Sequence, residues 1–413
     1  MMKTEHDPDR RPSVFDPVKI GPVTLRNRTI RAAAFEGMGR DHLPTQELVD
    51  FHGALAKGGV GMTTVAYAAV EQRGLSFGHQ LWMRPEVVAP LRALTDQVHA
   101  AGARASIQLA HCGNMAHAKV AGGRPQSASA RFNLFGPTLP QAMDESDIAR
   151  VVEAHADAVS IARDAGFDAV EVHAGHGYLL SQFASPWTNR RTDRYGGSVH
   201  NRIRFAREAI AAAKRAARDD IAVLVKTNLR DGFEGGMELD DAIVLARALE
   251  EEGADALVLT GGFVSRAPMY VMRGSMPTRV MADVMTDPML SVGIALFGQM
   301  LVKPFVYESR YFREDALAVR AAVKMPLVYL GGVDSGAAID EALSEGFEAV
   351  AMARALIREP DFVNKLAQER GYRSLCDHCN YCAAQIYTKK ASCHYLEPPT
   401  DRVRALLRKD MGR

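Results

Sequence analysis

Two imidazoles and a phenol, His173, His176 and Tyr178, fall within the short segment HAGHGY. Paired ring N–H groups can donate to one carbonyl oxygen and stabilise negative charge growing there. A phenol, with an unperturbed pKa near ~10, can release a proton as a general acid. By itself, His-x2-His in a loop is equally half of a zinc site or a pair of structural hydrogen bonders. The second chemical group is made of thiols: Cys376, Cys379, Cys382 and Cys393 follow the spacing C-x2-C-x2-C-x10-C, while Cys112 stands alone. Four thiolates suit tetrahedral zinc or an iron–sulfur cluster, and a tight run of three with a distant fourth is commoner for clusters. A tail without metal is the third alternative, and His378 is a further candidate ligand if the centre is zinc.

These groups need a frame. Short apolar runs recur along the chain at Thr29–Ala34, Val60–Ala66, Arg104–Leu109, Asp168–His173, Ala222–Asn228, Ala256–Gly261, Leu327–Gly332 and Ala349–Ala353. Stretches such as Glu145–Ala165, Arg202–Arg218 and Asp240–Glu252 separate them, with apolar residues three and four apart as in amphipathic helices. This alternation predicts an α/β fold, a closed parallel (β/α)8 barrel (TIM barrel), whose reactive groups lie at the carboxyl ends of the strands. The segment HAGHGY follows the fourth run. No G-x-G-x-x-G interrupts the pattern, against a dinucleotide-binding sheet. Val18–Ile20 and Val23–Leu25, around Gly21-Pro22, read as a hairpin that plugs the lower end.

The expected division is an arm over 1–16, the barrel over 17–372 and a cysteine-rich tail over 373–413. The barrel carries a long insertion at 262–313 containing Met269, Met272, Met276, Met281, Met285, Met289 and Met300. Methionine fills irregular packing under loops or between subunits, and it also suits an adaptable apolar lid.

The 413 residues carry 50 basic and 49 acidic side chains, a net charge of +1, with no long run of one sign. Nucleic acid is therefore not an expected partner. No apolar run reaches the roughly 18 residues of a membrane span. The first residues, MMKTEHDPDRRPSVFDP, lack the apolar stretch of a secretory signal, so a cytoplasmic location is expected.

The stretch GFDAVEVHAGHGYLLSQFASPWTNRRTDRYGGSVHNRIRF from residue 166 resembles the signature of the old yellow enzyme family of FMN-dependent oxidoreductases. The likeness runs from KIGPVTLRNR at residue 19 to MARALIREPDF at residue 352. It implies that His173 and His176 grip a substrate carbonyl and that Tyr178 protonates the carbon beside it. It implies FMN held by Gln108 at the pyrimidine edge, Lys226 near N1 and O2, Gly331, Gly332, Ala353 and Arg354 at the phosphate, and Ala34, Phe35 and Ala68 beside the ring. NAD(P)H is the expected reductant, an enone or related unsaturated carbonyl compound the expected substrate, and a homo-oligomer the expected assembly.

The sequence departs from the family where a Thr or Cys often ends the first strand, since Ala34 and Phe35 bring no side-chain hydrogen bond there. Asn114 stands where Arg is common. The tail resembles that of the branch containing trimethylamine dehydrogenase and dienoyl-CoA reductase, with a shorter last spacing, which implies a [4Fe-4S] cluster. The alternative function is a flavin and iron–sulfur dehydrogenase that oxidises an amine or saturated substrate and passes electrons to a separate carrier. A barrel that has lost its chemistry and serves as a metal-stabilised interaction protein is the rival from outside enzymes.

Overall fold

The computed structural model describes residues 12–133, 138–285, 288–386 and 389–412. Most of the expected arm, residues 1–11, lies outside them. Eight parallel strands close on themselves: β1 Thr29–Arg31, β2 Met62–Ala69, β3 Arg104–Ala110, β4 Ala169–Ala174, β5 Ala222–Asn228, β6 Ala256–Thr260, β7 Leu327–Leu330 and β8 Ala349–Met352. Pairing of β8 with β1 and of β1 with β2 shuts the barrel. Outside run the helices α1 Gln46–Lys57, α2 Val88–Ala100, α3 Glu145–Asp164, α4 Arg204–Ala217, α5 Leu239–Glu251, α6 Arg313–Ala322 and α7 Gly336–Ser344. The fold is the expected (β/α)8 barrel.

Alternation along each strand sorts the side chains into two environments. Val170 and Val172 on β4, Val223 and Val225 on β5, and Leu257 and Leu259 on β6 pack outward with the helices. The intervening residues face the lumen. Near the strand starts these are Ala169, Ala222, Leu224, Ala256, Val258 and Ala349, in one cluster with Val18, Ile20, Val23 and Leu25 of the hairpin. Small residues below leave room for that hairpin, which fills the lower end. One step higher the lumen turns polar, with Gln108, Glu171, His173 and Lys226 all buried.

Two additions sit above the barrel. The region after β6 forms helices at Pro268–Met272, Thr278–Val284 and Pro288–Leu301. The chain after α7 and β8 ends in a helix at Asp401–Asp410, whose Val403 and Leu407 pack with Val280 and Met281 of the insertion. The two additions thus share a small core of their own. No described helix is long and apolar enough to cross a membrane.

Candidate active site and the cysteine-rich tail

Strand register brings the polar layer together. Glu171 on β4 lies opposite Gln108 on β3, and His173 lies opposite Lys226 on β5. The Gln108 amide donates to Glu171 Oε1 at 2.6 Å, and Lys226 Nζ approaches the same oxygen at 2.8 Å. Lys226 is therefore not a lone cation: its charge is balanced by a carboxylate that reading the sequence did not single out. Burial lowers the lysine's pKa while Glu171 raises it.

Beyond β4 the chain turns sharply. His176 has φ +58° and Gly177 has φ +78°. A Cβ at Gly177 would stand 2.5 Å from the Phe263 ring, so only glycine fits this close approach. The turn is tied down by Asn228 at the end of β5, whose Oδ1 accepts from the His176 N–H at 3.0 Å. The Asn228 amide in turn donates to Asp231 and to the Gly262 carbonyl. The ring is held as well, with His176 Nε2 2.9 Å from the Thr260 hydroxyl at the end of β6.

The result is an edge-to-face pair, with the His173 and His176 ring centres 4.9 Å apart and Tyr178 4.8 Å from His173. Burial, then His176 and Lys226, hold the His173 pKa well below the usual imidazole value; burial and Lys226 bring His176 down to about 3. Both shifts favour the neutral rings. The backbone N–H of Gly175 donates to His173 Nδ1 at 3.2 Å. A backbone N–H can only donate, so Nδ1 is the bare nitrogen and Nε2 carries the proton.

These residues line one cavity of about 280 Å³ together with Ala34, Phe35, Gln108, Lys226, Gly331, Gly332, Ala353 and Arg354. Nearly every expected flavin contact is gathered there. Ala68 is not: it is buried in the outer core, and Tyr67 lines the cavity instead. A register irregularity between Val65 and Ala68 shifts the alternation at this point of β2. Tyr67 lies 5.2 Å from Tyr178 and 5.1 Å from Phe35, ring centre to ring centre. Phe35 stacks further on Phe77, which makes the β1 side of the cavity an aromatic wall.

The opposite end fits a phosphate-bearing flavin. Gly331 and Gly332 have φ of +125° and +74°, and a Cβ on either would meet neighbouring atoms at 2.6 Å. Arg354 donates to Asn380 Oδ1 at 2.7 Å, and none of the described ion pairs joins it to a carboxylate. A cavity lined by an amide, a buried ammonium, a guanidinium and a glycine turn offers the donors FMN requires.

The insertion and the tail close around that end. Tyr307 donates to Asp334 Oδ2 at 2.9 Å and stacks on His378 at 3.6 Å. His378 also meets Asp334, at 3.2 Å. Asn380 donates to the carbonyls of Arg273 and Ser275 while accepting from Arg354. His378 is thus engaged with Asp334 as well as lying 3.9 Å from Cys376 Sγ.

Cys376, Cys379, Cys382 and Cys393 surround a second, smaller cavity, and Cys382 lines the large one too. Burial pushes the Cys382 thiol up to about 12. Among the described residues, the one set of three ligand atoms within 4.8 Å of one another is Asp377, Cys379 and His394, of which the sequence pattern pointed to the cysteine alone. No three of the four sulfurs are that close. Four thiolates on one zinc ion would be, since Zn–S bonds of about 2.3 Å place tetrahedral sulfurs roughly 3.8 Å apart.

A model of the NADH:flavin oxidoreductase / NADH oxidase family matches residues 13–295. The chain belongs to that family. It is 41% identical over 379 residues to a 4,4'-dithiodibutanoate disulfide reductase of Rhodococcus erythropolis, covering 91% of this chain and 94% of that one. It is 31% identical over 356 residues to a metal reductase of Desulforamulus reducens, covering 85% of this chain and 48% of the relative, so it spans about half that protein's length. Among solved structures, a 2-naphthoyl-CoA reductase complex superposes with a TM-score of 0.79 at 22% identity, over 96% of this chain and 58% of the other. As a member of the old yellow enzyme family, the chain is an oxidoreductase whose kin are built around FMN and linked to NAD(P)H.

Proposed function

We propose that the chain reduces the activated C=C bond of α,β-unsaturated carbonyl compounds with electrons from NAD(P)H. The observation that carries this reading is the edge-to-face pair of imidazoles with Tyr178 beside them, facing the same cavity as Gln108 and Lys226. Bound FMN would supply the hydride chemistry, taking a hydride from NAD(P)H and delivering it to the substrate β-carbon. Gln108 and the Lys226–Glu171 pair would hold its pyrimidine edge, and Gly331, Gly332, Ala353 and Arg354 its phosphate. The His173 Nε2–H and the His176 ring orient the substrate oxygen and take up charge developing on it. Tyr178 gives its hydroxyl proton to the α-carbon. The Phe35 and Tyr67 rings line the cavity beside Tyr178.

A second reading, reduction of an organic disulfide, is favoured by the name of the 41% identical relative. Tyr178 would then protonate the departing thiolate. Anaerobic NAD(P)H oxidation with 2-cyclohexenone against a dicarboxylate disulfide separates the two; turnover with the disulfide alone overturns the first reading. Turnover only with an amine and a one-electron acceptor overturns both.

For the tail, we propose a [4Fe-4S] cluster on Cys376, Cys379, Cys382 and Cys393. All four cysteines line one cavity, and their tight run of three with a distant fourth is commoner for clusters than for single ions. Iron, zinc and acid-labile sulfide analysis tests it, and stoichiometric zinc without iron would exclude the cluster.

A further inference from the structure

Two arginines stack on one indole beside a loop that lines the cavity, and a third stands close by. Arg131 and Arg266 place their guanidinium carbons 3.7 Å and 3.9 Å from the Trp187 ring centre, and Arg266 also lies 4.9 Å over Phe233. Arg131 donates to the Trp187 carbonyl at 2.7 Å. Arg190, exposed, is tied to the segment that carries Arg131 by its backbone N–H, which donates to Ser129 Oγ at 2.9 Å, and it and Arg266 add to burial in lowering the Arg131 pKa.

Arginines on the same elements are neutralised: Arg191 pairs with Asp193, Arg194 with Glu145, Arg202 with Asp241 and Arg230 with Asp315. Among the described ion pairs none involves Arg131, Arg190 or Arg266, and Glu234 on the neighbouring loop pairs with none of them. Like charges gathered without a counter-charge cost free energy, and a bound anion offsets that cost.

Their placement relates them to the site. Arg266 lies between Val264 and Pro268, both of which line the large cavity, and the Val264 N–H donates to the His176 carbonyl at 3.0 Å. Stacking on Trp187 holds the guanidinium planes, which suits them to the flat, two-oxygen edge of an anion.

We propose that Arg131, Arg190 and Arg266 form an anion site at the rim of the cavity, receiving a carboxylate or phosphate carried by the molecule seated over His173 and His176. The inference rests on the carbonyl-binding reading of that pair and adds the substrate class: an acid, not a neutral ketone, or else a coenzyme held by a phosphate.

The test titrates the FMN-loaded enzyme with phenol and with phenols bearing a carboxylate on tethers of increasing length, followed by the flavin absorbance. The expected result is that one tether length binds about tenfold more tightly than phenol, a gain of about 1.4 kcal/mol that shrinks with added salt. Arg266→Met and Arg190→Gln should each remove most of that gain and leave phenol itself unchanged. In a second arm, NADPH and NADH are compared as flavin reductants. A loss confined to NADPH in the same variants supports the site with the coenzyme phosphate as its anion. If the variants match the parent with every carboxylated phenol and with both coenzymes, the anion site is overturned. Failure of the parent to bind phenol at all strikes the carbonyl-binding reading instead. Arg131→Gln tests the third member, and the two exposed positions keep the test decisive if it does not fold.

Discussion

The end of β4 and the cysteine tail are both clusters of reactive side chains, but they are positioned by different means. His173, Glu171, Gln108 and Lys226 stand where a parallel strand register puts them, and His176 is fixed by Asn228 and Thr260 from the ends of β5 and β6. Of the tail thiols, Cys376, Cys379 and Cys393 sit on irregular backbone and Cys382 on a single helical turn, Tyr381–Ala384, in a stretch joined to the barrel by Asn380, His378 and Ser374. A site built on a sheet exists before its ligand arrives; a site built on a loop owes much of its form to what it binds.

The largest effect is expected of Tyr178→Phe. Flavin reduction by NAD(P)H, which needs no proton from this residue, should stay nearly intact, while reoxidation by an enone slows by roughly 10²–10⁴-fold. Stopped-flow measurement of the two half-reactions decides it, and equal slowing of both would reduce Tyr178 to a wall of the pocket. Next in size, His173→Ala or His176→Ala should cost about 2.7–4 kcal/mol in transition-state stabilisation and weaken phenol binding, with the metal content of the tail unchanged. Unaltered turnover and phenol affinity in both variants would remove the carbonyl-binding role.

The tail should respond in the opposite way. Cys382→Ser should abolish metal binding and lower the melting temperature by several degrees, because ligation and local folding are coupled. FMN content should persist through Gln108, Lys226, Gly331 and Gly332 of the barrel, with only the Arg354 end, which the tail holds through Asn380, loosened. Loss of FMN with the metal would show that the two regions are one cooperative unit.

A separate effect is expected on acid stability. Burial lowers His155 to about 4 and His176 to about 3, below the imidazole value of about 6.5 in an unfolded chain. The unfolded state therefore takes up protons first, so stability falls as pH drops below about 6.5 and goes on falling towards the folded-state values. Asp231, raised by burial to about 6, opposes this between that value and 3.8. The net loss from pH 7 to pH 4 should be on the order of a few kcal/mol, measured by urea unfolding; constant stability would mean that these rings are protonated in the fold.

Much of this was legible in the sequence because lumen-facing and helix-facing residues alternate. The run DAVEVHA announces both β4 and its reactive end. Glu171 stood in the same run, at an inward position, and an acidic residue there was the available signal for the partner of Lys226 and Gln108. Tyr67 was hidden for a different reason: β2 runs to Ala69, past the expected end at Ala66, and its irregularity put Tyr67 where strict alternation would have put Ala68. Thr260 and Asn228 acquire meaning only when strands β5 and β6 stand side by side. In the tail, cysteine spacing named four ligands, yet spacing says nothing of Asp377 and His394, which loop geometry brings beside Cys379.

A barrel stoppered at its lower end by Val18, Ile20, Val23 and Leu25 directs all traffic through its upper face. On the proposed function, electron donor and electron acceptor queue for the same volume, and each must depart before the other enters. Turnover becomes a strict rota, in which the slower departure sets the pace however fast the chemistry runs.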